Sequence, residues 1–185
     1  MSVQVDSLST AIEAFLDGVA LFATNPDHVL VVLATSLLAG LRGSPAARAT
    51  CFALPLAWSC GGFFGWMWPA PGPLRVPLIL SFMIVGGLVA LDRKLAPRVV
   101  VALATAAGIL HGYVQGREMA GGGLEWPAVL GAVAVVLVIV FLVTTLVAWL
   151  KPAWTRIAVR VAGSWIVAIG LLMLGWLVRG TGHKH

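Results

Sequence analysis

Apolar residues in this chain run in blocks rather than alternating. Near-continuous apolar stretches occupy 27–41, 47–68, 74–91, 97–116, 126–150 and 155–178. They are cut by Gly43-Ser44-Pro45, Pro69-Ala70-Pro71-Gly72-Pro73, Pro97, Gly121-Gly122-Gly123 and Pro152. Blocks near the roughly 20 residues that a helix needs to cross a hydrocarbon core predict transmembrane helices. The stretch 10–22 differs: Thr10-x-x-Glu13 is a capping-box pattern, and Glu13 and Asp17 share one helix face. It predicts a short amphipathic helix lying along the membrane surface. The expected fold is therefore all-α and polytopic, a six-transmembrane-helix bundle over 27–178. An extracytoplasmic N-terminal segment, 1–26, precedes it and a short tail, 179–185, follows. Small residues at helix-contact spacing, Gly61 with Gly65 and Gly163 with Gly170, predict close backbone approach.

Composition sharpens the class. Of 185 residues, 60% are hydrophobic and 10% charged, with a mean hydropathy of +1.00, which leaves too little polar surface to coat a water-soluble globule. In a soluble protein the net charge of +5 would suggest nucleic acid; in a membrane protein Lys and Arg gather in cytoplasmic loops, so no nucleic-acid partner is expected. The basic residues are unevenly divided between the two sides. Arg42, Arg48, Arg93, Lys94, Arg98, Lys151, Arg156 and Arg160 fall on the side of the loops after spans one, three and five, against Arg75, Arg117, Arg179 and Lys184 on the other. This asymmetry predicts both termini outside the cytoplasm. The first residues carry acids and lack a basic region, so no signal peptide is expected. Cys51 and Cys60 lie about 13 Å apart along one helix and on opposite faces, so they cannot pair; both read as small core residues.

That orientation groups the chemistry-bearing residues. Asp27 and His28, in "NPDHVLVV", stand at the outer end of span one; His111 and Glu118, in "GILHGYVQGREMAG", stand at the outer end of span four, which runs the opposite way. On a helix His111, Gln115 and Glu118 form one stripe. Ionisable groups inside a membrane cost free energy, face the bundle interior and find partners. Two imidazoles and two carboxylates make a set that divalent transition metals bind. A plainer reading stands beside this one. Asp27 would cap span one and His111 would be a packed interface residue. The tail histidines His183 and His185 read as part of a disordered tail.

The stretches "FLDGVALFATNPDHVLVVLATSLLAG", "ALPLAWSCGGFFG", "LSFMIVGGLVAL", "GILHGYVQGREMAG" and "RVAGSWIVAIGLLML" resemble the HupE/UreJ family of small six-span membrane proteins. The resemblance runs from about Phe15 to Leu177. It implies a permease for nickel or cobalt in a bacterial inner membrane, not an enzyme, with Asp27, His28, His111 and Glu118 on the family's motif positions. It also shows departures. A family histidine falls on Leu21, another on Gln115, a family phenylalanine on Leu110 and a family acid on Arg75, and span five has no histidine. Three readings follow. One is a divalent-metal permease, with the bilayer and the ion as its partners. Another is a non-transporting subunit or assembly factor, with a membrane-protein partner or a second copy of itself. The third is an intramembrane zinc hydrolase with Asp27, His28 and His111 as ligands and Glu118 as general base.

Overall fold

A computed structural model describes residues 2–149 and 153–182. Lys151, Pro152, His183, Lys184 and His185 lie outside the described residues. Seven helices follow in order: α1 (Ser2–Thr24), α2 (Pro26–Leu41), α3 (Ser44–Met67), α4 (Arg75–Ala90), α5 (Pro97–Gly121), α6 (Pro127–Trp149) and α7 (Ala153–Gly182). There is no strand among the described residues. Proline stands in the first turn of α2, α3 and α5, where a missing N–H costs nothing. The tight α2–α3 turn uses Gly43 at φ +87°, a conformation that suits glycine.

Helices α2, α3, α4 and α6 begin and end close to the apolar blocks of the sequence. α5 runs on to Gly121, which puts Glu118 within the helix, and α7 continues to Gly182 rather than giving way to a tail at 179. Among the described residues, three helices are long and apolar enough to cross a bilayer: Pro97–Gly121, Pro127–Trp149 and Trp154–Arg179. A fourth span counts if Leu8–Thr24 and Pro26–Leu41, bent by 78° at Asn25, are one broken span. α4 is apolar but has only 16 residues.

The N-terminal helix departs from expectation. It is longer than 10–22, and it packs against α6 instead of standing apart as a surface segment. Ala14, Gly18 and Phe22 form its buried stripe, while Glu13 and Asp17 face outward. Neither Gly18 nor Gly131 of α6 has room for a side chain, since a Cβ at either would overlap backbone of the other helix. That close approach draws α1 into the bundle.

α2 is the hub and touches all six other helices. Its interior hydroxyls bond to its own backbone, Thr35 to the Val31 carbonyl at 2.8 Å and Ser36 to that of Val32 at 2.6 Å, so they sit in the core without outside partners. α3 and α5 form the most extensive pair. Gly61 and Gly65 on α3 meet the carbonyls of Ile109 and Tyr113, and Gly112 and Gly116 on α5 meet those of Trp58 and Gly62, so the two backbones interlock. α7 packs mainly on α4, where Gly163 lies against Gly86 and Ala90. Both cysteines are free. Cys51 is half-buried, but Cys60 is exposed, because the glycine face of α3 takes the seam with α5 and turns Cys60 outward.

Candidate functional site

The break between α1 and α2 sets up the site. A residue before proline is driven to extended backbone, and Asn25 sits at φ −98°, ψ 99°. Asn25 holds the N-cap position without capping. Its side-chain amide donates instead to the Leu21 carbonyl at 3.1 Å and to Glu118 Oε2 at 3.4 Å. Asp27 therefore lies in the first turn of α2, where a carboxylate complements the helix N-terminus, and not at the cap.

One residue further on, His28 points into the bundle. Its Nδ1 lies 3.1 Å from Nδ1 of His111 on α5. Both rings are buried, at 2% and 0% exposure. Trp58 of α3 closes over the pair, with ring centroids 5.4 Å from His28 and 5.9 Å from His111, and Phe22 of α1 stacks 6.2 Å from His28. The depth of His111 is set by the glycine seam, which brings α5 against α3 on either side of it.

A serine links the pair to α4. Ser81 Oγ lies 2.7 Å from the Leu78 carbonyl and 2.7 Å from His111 Nε2. Its one hydrogen serves either neighbour, so two arrangements satisfy the chain: His111 carries its hydrogen on Nε2 and accepts from His28 at Nδ1, or it accepts from Ser81 at Nε2 and donates to His28 from Nδ1. Each places one hydrogen between the two Nδ1 atoms.

The carboxylates sit apart from this pair. Asp27 is half-buried and lines a cavity of about 450 Å³ with Arg75 of α4 and with Leu172, Met173 and Trp176 of α7. Glu118 is exposed and takes the Asn25 amide. Among the described residues, no three of His, Cys, Asp and Glu gather into a group that could hold a metal ion. The arrangement that zinc hydrolysis needs, with Asp27 as third ligand and Glu118 as base, is accordingly not assembled here.

Two partners escape a reading of the sequence alone. Ser81 is the lone hydroxyl in an apolar span, a signal that it has a specific partner. Trp58 sits mid-helix rather than at an interface, and a buried indole N–H needs an acceptor; it finds Gln115 Oε1 at 2.7 Å. Leu21, on a family histidine position, packs against the core.

At the opposite end of the bundle Asp92 follows α4 and meets Arg42 at the end of α2 and Arg156 of α7, the latter at 2.6 Å. Burial pushes the Asp92 carboxyl up, but hydrogen bonds from Arg42 and Arg156 outweigh it and hold the group below its ordinary value of 3.8.

The chain was also compared with known proteins. No curated protein and no solved structure matches. A family model described as HupE / UreJ protein matches residues 6–173. That match takes in the broken helix, the histidine pair and the glycine seam, and the chain belongs to the HupE / UreJ family.

Proposed function

We propose that this protein is a six-span permease of the bacterial inner membrane, with both termini outside the cytoplasm, that binds and transports a divalent transition metal, nickel or cobalt. In this reading His28 and His111 are the inner ligands, and Asp27 and Glu118 draw the cation to the outer mouth. Six spans follow if α1 and α2 together make the first, broken one, and α3 to α7 the others; α3 and the short α4 are carried by their packing on α5 and α7. Broken helices are tolerated at membrane depth where their ends line a site.

The observation that carries the reading is the 3.1 Å separation of the two Nδ1 atoms. Two nitrogens bound about 2.1 Å from one ion lie about 3.0 Å apart at a right angle and about 3.4 Å apart at the tetrahedral angle. The two nitrogens are thus already spaced for one ion, and each ring has to turn so that its Nδ1 lone pair points at the ion and not at the other ring. Imidazole is a good donor for nickel and cobalt, and the hydrogen between the two Nδ1 atoms has to move to an Nε2 for both to bind.

The test is cobalt(II) and nickel(II) titration of the purified protein, followed by electronic absorption, beside metal uptake in cells. His28→Ala and His111→Ala should each abolish both. A protein that binds none of nickel, cobalt, zinc or copper, and whose loss leaves uptake unchanged, would overturn the reading in favour of a non-transporting subunit.

A further inference from the structure

Gln115 lies one turn beyond His111 on the same face of α5 and is 1% exposed. The indole N–H of Trp58 donates to its Oε1 at 2.7 Å. Because indole nitrogen only donates, the amide cannot be turned round, and its oxygen spends one of its two lone pairs on Trp58. The remaining end, Nε2 with its two hydrogens, is buried without a hydrogen-bond partner. A buried donor without an acceptor is costly, so such a group points to something that binds it. The same Trp58 ring lies against both imidazoles. Gln115 is thus tied to the indole that covers the histidine pair.

A bare dication has no use for that donor, and the layer of the histidine pair does not suit one. The aromatic and polar groups set against His28 and His111 are Phe22, Trp58 and Ser81, with Gln115 bonded to Trp58, all uncharged, and among the described residues no carboxylate joins them in a metal-binding cluster. Two positive charges in such surroundings are poorly compensated. A negatively charged ligand on the ion would halve the charge, and its lone pairs would accept from Gln115. Water would satisfy the amide but not the charge.

We infer that the cation occupies this layer together with a small anionic ligand, of the carboxylate or halide class, which accepts a hydrogen bond from Gln115 Nε2. The inference rests on the metal-binding reading above. Gln115 is then a specificity-determining residue, selecting a metal that arrives with an anion over a metal that arrives with water alone.

The experiment titrates formate into the cobalt(II)-loaded protein and follows the cobalt absorption bands. Formate should shift the bands of the wild type with a saturable dependence. Gln115→Met, which keeps the length of the side chain and removes both donors, should raise the half-saturating formate concentration about tenfold or more, the range for a hydrogen bond to a charged group. Gln115→Glu, whose carboxylate competes for the place, should abolish the formate dependence. If cobalt gives no bands at all, the metal-binding reading and this inference fall together. If cobalt binds but formate leaves the wild-type bands unchanged, or shifts those of Gln115→Met at the same concentration, only this inference falls.

Discussion

A histidine becomes a useful ligand when its second nitrogen is held, and for the proposed ligand His111 the group in place to hold it is Ser81, whose Oγ lies 2.7 Å from Nε2. By accepting from Nε2–H the hydroxyl would free the Nδ1 lone pair for a metal. Partners of this kind typically contribute tenfold to a hundredfold in metal affinity. Ser81→Ala should therefore weaken cobalt binding about tenfold or more with the spectrum's shape retained, whereas Ser81→Thr, which keeps the acceptor, should weaken it less. Equal affinity in wild type and Ser81→Ala would show that the tautomer is set elsewhere. Asp27 poses a different question, because it stands beside Arg75 in the outer cavity and not against the imidazoles. If it shares the ion with His111, Asp27→Asn and His111→Ala are coupled, and the double variant binds little worse than either single one. If Asp27 only complements the start of α2, the two effects add. Affinity should also fall toward acid pH, since protons compete with the metal for each imidazole.

Among the elements, the interlocked backbones of α3 and α5 bear the most weight, because they fix the depth of His111, Gln115 and Trp58 together. A Cβ at Gly116 would overlap the Gly62 carbonyl, and backbone cannot step aside as a flexible side chain can. Gly116→Ala should cost at least about 2 kcal/mol of stability in detergent and also weaken metal binding. Gly175→Ala on α7, where nothing lies within 4 Å of the added Cβ, should be neutral or slightly stabilising through helix propensity. Thermal unfolding of both variants checks the contrast. This seam was half legible in the sequence. Gly61 and Gly65 stood out by spacing, but the answering Gly112 and Gly116 could be recognised only once the two helices were seen to pair. Most helix ends were legible for a similar local reason, since proline and glycine punctuate the apolar blocks. α1 was not. Charges at Glu13 and Asp17 face outward on a helix packed against a neighbour just as on one lying alone, and the small stripe Ala14, Gly18, Phe22 carries little apolar signal. The meeting of His28 and His111 was legible from the opposite directions of their helices. How far Asp27 and Glu118 turn away from them depends on rotation about each helix axis, which short loops do not specify.

Across the whole molecule the two ends are built differently. One end carries the broken helix and the cavity shared by Asp27 and Arg75; the other is tied by Asp92, which links the α4–α5 turn to the end of α2 through Arg42 and to α7 through Arg156. Any motion that opened a path between α2, α4 and α7 at that end would have to break this tie, so its strength bears on such opening as well as on stability. Arg42 supplies most of it. The Arg42 side chain is 7% exposed and that of Asp92 16%, whereas Arg156 is 58% exposed and screened by solvent. Asp92 also has φ +46°, a left-handed conformation that asparagine tolerates about as well as aspartate. Asp92→Asn thus removes the charge and keeps the turn, and it should cost about 1–3 kcal/mol at neutral pH. The pH dependence has a definite sign. A carboxyl whose folded pKa lies below its unfolded value stabilises the fold above the unfolded value and loses that contribution as pH falls through the folded one. The difference in thermal stability between wild type and Asp92→Asn should therefore be full at neutral pH and close only below about 3.8, the ordinary value from which the Asp92 carboxyl is lowered. A difference that persisted unchanged in acid would assign the loss to the turn and not to the ion pair. Asp92→Ala separates the two contributions, because it should add the backbone cost of a left-handed alanine at every pH.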